Sequence, residues 1–139
     1  LEGGLWTIGA ERMKAAREHR VPLSEAALAV LRKMPRGQSD QYVFRAALGG
    51  QLSDMTISSV LRRLQVDAVP HGFRSTFRDW AAERTAYPNE VAEMALAHAV
   101  GNKVEAAYRR GDLFAKRLAL MKDWAAFCSG KPETVRSGV

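Results

Sequence analysis

The chain has 139 residues, enough for one domain with an ordinary core and too few for two independent ones. Lysine and arginine number 21 against 15 aspartates and glutamates, a formal net charge of +6 that favours a polyanionic partner without naming it. A single cysteine rules out an internal disulfide, and no window has the apolar length of a membrane span. Leu1–Ala10 carries neither the basic region nor the apolar run of a secretory signal. We therefore expect a cytoplasmic protein with no membrane association, and Cys128 as a packed thiol in a helix. The opening on Leu1 rather than Met is what a fragment would give.

In chain order, Leu5–Ile8 and Arg20–Leu23 read as two strands of a small β-hairpin, joined through the basic link Lys14–Glu18. Ser24 is placed to cap a helix reaching about Met34, with Leu23 and Leu28 spaced as a hydrophobic staple and Pro35 as the stop. Arg36–Leu52 holds Gly37, Gly49 and Gly50 without a sustained period and reads as a loop, passing a short apolar Tyr42–Phe44 segment. A helix beginning at Ser53 or Asp54 follows, with Ile57, Val60, Leu61 and Leu64 on one packing face and Arg62 and Arg63 elsewhere. Phe73, Phe77, Trp80 and Ala81 repeat that spacing in the next helix, which puts His71 at its entrance and Arg74 in its first turn.

Pro88 suits the first turn of a helix running to about Ala97. Gly101 and Asn102 break the chain, Lys103–Arg109 forms a short helix, and Gly111 with Asp112 resets it. The last helix is expected from Asp112 to about Gly130, with Phe114, Leu118, Met121, Ala125 and Cys128 pointing inward. The fold class is thus mainly α with a small β-hairpin, a single domain over residues 1–130, and a frayed tail at 131–139.

Three groups of residues could carry chemistry. In His71-Gly72-Phe73-Arg74, a helix N-terminus would offer unpaired backbone N–H groups to an anion, and Arg74 adds a planar fork suited to phosphate. His98 precedes Tyr108 by ten positions, with the Gly-Asn break between them allowing both rings to face one site. A nucleophilic tyrosine needs cations, donors or a base nearby, because its phenol ionises only near pH 10 when unperturbed. Lys14, on the hairpin turn, could reach a phosphodiester. Taken singly, each of these residues more often packs or is solvated, and Tyr42 and Tyr87 are poorer nucleophile candidates for want of a linked histidine. His19, His71 and His98 match no standard metal-ligand spacing.

It is the order of the pieces that points further. Met13-Lys14, His19-Arg20-Val21-Pro22-Leu23-Ser24, His71-Gly72-Phe73-Arg74, Leu96-Ala97-His98 and Ala107-Tyr108-Arg109-Arg110 together resemble the tyrosine recombinases of the phage-integrase type, above all those of prophages and genomic islands. Motif-bearing segments run from about Trp6 to Trp124. The resemblance implies a tyrosine recombinase catalytic-domain fold lacking its N-terminal part. It implies site-specific DNA recombination, in integration or excision of a mobile element, through a 3′-phosphotyrosine intermediate. Tyr108 would attack the scissile phosphate, Arg74 would clamp its non-bridging oxygens, and His71 would assist proton transfer from the tyrosine. His98 would hydrogen-bond the phosphate and Lys14 would protonate the leaving 5′-oxygen.

By the same resemblance no metal or other cofactor is required, and the partners are double-stranded DNA attachment sites and a homo-tetramer on DNA, with the helix from Asp112 onward docking on a neighbour. Two features depart from the family pattern. Its first catalytic arginine would lie upstream of the hairpin, where this chain has none, so weak or no activity is expected of the chain alone. Ala97 stands where glycine is common. The alternatives are a non-enzymatic basic helical DNA-binding module, using Arg62, Arg63, Arg109 and Arg110 on phosphates, and a type IB topoisomerase-like enzyme. The phrasing from His98 to Tyr108 favours the integrases.

Overall fold

In the computed structural model, which describes residues 2–38, 42–98 and 111–130, a two-stranded antiparallel sheet leads into helices. The hairpin pairs β1 (Leu5–Ile8) with β2 (His19–Pro22), in register from Leu5 opposite Pro22 to Ile8 opposite His19. Its connection holds a 3-10 turn at Ala10–Arg12, and Lys14 lies beyond it, exposed. Helix α1 (Glu25–Arg32) starts as expected, because the Ser24 hydroxyl accepts from the Ala27 N–H at 3.3 Å.

Helix α2 (Thr56–Arg63) begins two or three residues later than the expected start at Ser53 or Asp54. Of its apolar face only Leu61 is buried; Ile57, Val60 and Leu64 are exposed to the described residues, as are Tyr42, Val43 and Phe44 in the preceding loop. The expectation that this face packs is therefore corrected: the period specifies the helix, but the described residues leave three of the four side chains between 36% and 66% exposed.

The core sits where α3 (Gly72–Arg84), α4 (Asn89–Ala95) and α5 (Phe114–Cys128) meet. Phe77, Trp80 and Ala81 from α3, Val91 and Ala92 from α4 and Leu120 from α5 are buried together, with Met121, Trp124 and Phe127 packed on them. Trp124 stands edge-on to Phe77, with centroids 5.4 Å apart, and lies 5.0 Å from Trp80. Phe73, expected on this face, is instead half-exposed one turn short of the core.

The inward stripe of α5 is rotated from the expected one. Arg117, Leu120, Met121, Trp124 and Phe127 face in, whereas Cys128 is exposed at the helix end, contrary to its reading as a packed thiol. The stripe was misread because Arg117, a charge, occupies one of its positions. The helix also starts at Phe114 rather than Asp112, whose carboxylate accepts from the Phe114 N–H at 3.2 Å. Among the described residues no helix is long and apolar enough to cross a membrane.

Candidate active site

The end of α4 is closed by a Schellman motif. The His98 N–H donates to the Glu93 carbonyl at 2.9 Å and the Ala97 N–H to the Met94 carbonyl at 3.2 Å. This closure requires a left-handed residue, and Ala97 supplies it with φ at 57°. An alanine there costs about 1–2 kcal/mol relative to right-handed backbone, a cost glycine escapes. The helix thus ends at Ala95, two residues before the expected Ala97, and the motif sends the His98 ring out beside α3.

Arg74 meets that ring from α3. One guanidinium nitrogen, Nη2, donates to the Leu96 carbonyl at 2.7 Å and to Nε2 of His98 at 2.8 Å. The first bond satisfies a carbonyl the helix end leaves unpaired and sets a cation at the negative end of α4. Two residues that lie 24 positions apart are so brought into direct contact.

One turn along the same face of α3, Arg78 reaches both Glu93 and Asn89 on α4. The other oxygen of Glu93 takes the Nδ1 atom of His98 at 2.7 Å. The hydrogen bond from Arg78 holds the Glu93 carboxyl below the usual carboxylate range, and His98 adds to the effect. The sequence reading missed Arg78 and Glu93. The signal was available in the four-residue step from Arg74 to Arg78, which places both guanidinium groups on one helix face.

His71 occupies the N-cap of α3, exposed, with no side-chain cap bond. The expected free backbone donors at this helix start are not there. The N–H groups of Gly72, Phe73 and Arg74 already donate to Val69, Pro70 and His71 carbonyls, at 2.9, 3.4 and 3.1 Å. Only side chains at this end are left to meet an anion. Lys14 is exposed on the hairpin connection. Tyr108, the expected nucleophile, lies outside the described residues, as do the expected break at Gly101-Asn102, the short helix Lys103–Arg109 and the tail. Tyr87, by contrast, is engaged structurally, donating its hydroxyl to Asp123 of α5 at 2.7 Å.

A second cluster fixes the hairpin against the start of α5. Arg117, 1% exposed, donates to the Asp112 carbonyl at 2.7 Å, to the Asp112 carboxylate at 2.9 Å and to the Arg20 carbonyl of β2 at 2.6 Å. Arg20 itself lies over the Phe114 ring, 4.6 Å from its centroid. His19, half-buried in β2, is held below the ordinary imidazole range by burial and by the nearby Arg117 charge. The two ends of the segment that carries Tyr108 are accordingly fixed, at His98 by the α4 closure and at Asp112 by Arg117.

Over 125 residues the chain is 36% identical to prophage integrase IntA of Escherichia coli (strain K12), covering 86% of this chain and 30% of that protein. It is 33% identical to prophage integrase IntZ of the same organism, over 90% of the chain and 32% of the relative. It is 28% identical to the integrase of Enterobacteria phage P4, over 88% of the chain and 33% of the relative. The chain thus spans about a third of the length of these relatives. No solved structure matches it. The model of the phage integrase family matches residues 1–113, well over half of the sequence, and the chain belongs to that family.

Proposed function

We propose that this chain carries the strand-cutting centre of a site-specific DNA recombinase that integrates or excises a mobile element, acting in the cytoplasm on double-stranded attachment sites. The observation that carries the reading is the pairing of Arg74 with His98, because it builds a cationic, donor-rich spot from two residues of the recombinase motif series. The anchoring of the residues on either side of Tyr108 in the sequence adds support: His98 is held in the α4 closure, and Asp112 by Arg117, which also holds the Arg20 carbonyl of the hairpin.

In this reading the Tyr108 oxygen attacks the scissile phosphorus as the bond to the 5′-oxygen breaks. The phenolic proton passes toward His71, and Lys14 supplies a proton to the departing 5′-oxygen. Arg74 and His98 hold the non-bridging oxygens as charge builds on them. The phosphotyrosine link retains the phosphodiester energy, so a second strand's hydroxyl rejoins the DNA by the reverse attack. The working form is a homo-tetramer on paired sites.

The test is denaturing capture of the protein on a library of nicked suicide duplexes, with the adduct mapped by mass spectrometry. A slow adduct at Tyr108 is expected from the chain alone, absent in Tyr108→Phe, which keeps salt-dependent DNA binding. An adduct on another residue, or one that survives Tyr108→Phe, would falsify the assignment. DNA binding with no adduct under any condition would favour the non-enzymatic basic module.

A further inference from the structure

The geometry points to Glu93 as a positioning residue that fixes the tautomer and the aim of the His98 ring; its bearing on DNA cleavage rests on the functional reading above. Arginine has donors only, so the Arg74 Nη2 contact at 2.8 Å requires a lone pair on Nε2 of His98. Nδ1 then carries the ring proton and donates it to Glu93 at 2.7 Å. Glu93 is itself held, since Arg78 grips its other oxygen and Asn89 grips Arg78. The Glu93 side chain is 21% exposed, against 46% for His98, so the carboxylate is the fixed partner and the imidazole the one presented outward.

Among the described residues, the groups facing His98 from the packed elements are Arg74 from α3 and Glu93 from α4, with Arg78 behind the carboxylate. This chain of contacts has a consequence for phosphate binding. When a phosphate draws Arg74 away, Nε2 can donate to it only after taking a proton from solvent. The ring is then an imidazolium, and Glu93 stands as its counter-charge. An outer carboxylate that sets which ring nitrogen is free is a familiar way for proteins to orient a working histidine.

The test is the 15N spectrum of the histidine ring in the 139-residue chain at about pH 8, where an unperturbed imidazole is neutral. Wild type and Arg74→Ala should both show the Nδ1–H form of His98. Glu93→Leu, which offers no acceptor, should shift the population to Nε2–H, and Glu93→Gln, whose amide oxygen still accepts, should restore Nδ1–H. A merely structural glutamate would not move the tautomer in this pattern. In parallel, Tyr108 adduct formation should fall about tenfold in Glu93→Leu and recover in part in Glu93→Gln. An Nε2–H ring in wild type overturns the proposal, and so does an Nδ1–H ring that survives Glu93→Leu but is lost in Arg74→Ala, because Arg74 would then set the tautomer. The predicted tautomer pattern without an adduct from any variant upholds Glu93 as the positioning residue and counts against the recombinase reading instead.

Discussion

Helices α2 and α3 carry apolar residues at the same helical spacing, yet they meet different fates. In α3, Phe77 and Trp80 are 6% and 4% exposed, closed over by α4 and α5, whereas Ile57 of α2 and Leu64 at its C-cap stay 58% and 66% exposed. A period of 3.6 residues specifies a helix and a face but not the surface that will cover it. What covers the α3 face is aromatic and sequence-distant, chiefly Trp124 and Phe127 of α5. The stability of the described residues should accordingly concentrate in the α3, α4 and α5 cluster.

The largest effect that would sharpen this contrast is Leu120→Ala. Leu120 is fully buried, and its truncation should cost about 2–5 kcal/mol in a denaturant melt. A cost below about 1 kcal/mol would mean that the cluster is loosely packed. Next comes Asp112→Ala, which strips the buried Arg117 of its carboxylate and α5 of its first-turn acceptor. Because Asp112 is partly solvated, about 2–3 kcal/mol is expected rather than more, by the same melt.

Ala97→Gly should act in the opposite direction. Relief of the left-handed backbone outweighs the entropy glycine adds to the unfolded chain, for a net gain of about 0.5–1 kcal/mol. If the midpoint fell instead, the α4 closure would not be the left-handed one described.

A pH series tests the burial of His19 beside Arg117. The His19 imidazole is held below its ordinary value of 6.5, so the unfolded chain binds that proton more readily than the folded one. Stability should therefore decline as pH falls below about 6.5, until the folded imidazole also protonates. Glu93, held below 4.5 mainly by Arg78, adds a further loss as pH drops through the acid range, because its stabilising ionised form is then neutralised. His19→Gln should remove the upper part of that decline and leave the lower part. The smallest effect belongs to α2, where Leu64→Ala should change stability by less than about 0.5 kcal/mol. A larger loss would show that the exposed face is covered in the protein as it works.

Much of this arrangement was legible in the residues. The hairpin, the Ser24 cap, the helix behind His71 and the pairing of Arg74 with His98 in one place follow from turn chemistry, spacing and motif order. The misreadings share one physical cause, that local pattern carries no information on distant partners. Arg117 sits in an inward position because Asp112 and the Arg20 carbonyl receive its donors, and no helical periodicity announces a buried cation. Glu93 has no local signal that marks it as a partner of His98, because it is the left-handed turn at Ala97 that brings the ring back over it. The backbone donors expected before Arg74 were absorbed by a tight 3-10 start, which depends on the backbone path from Val69 onward rather than on residue type.

Whether Arg74 and His98 form one phosphate-binding spot is tested most directly by a titration of the 15N-labelled chain with a short DNA duplex. The Arg74 guanidinium and His98 ring signals should move together with a single dissociation constant, weakening as salt rises, and the His98 response should vanish in Arg74→Ala. Shifts confined to Arg62, Arg63 and their neighbours on α2, with Arg74 and His98 unmoved at saturation, would contradict it.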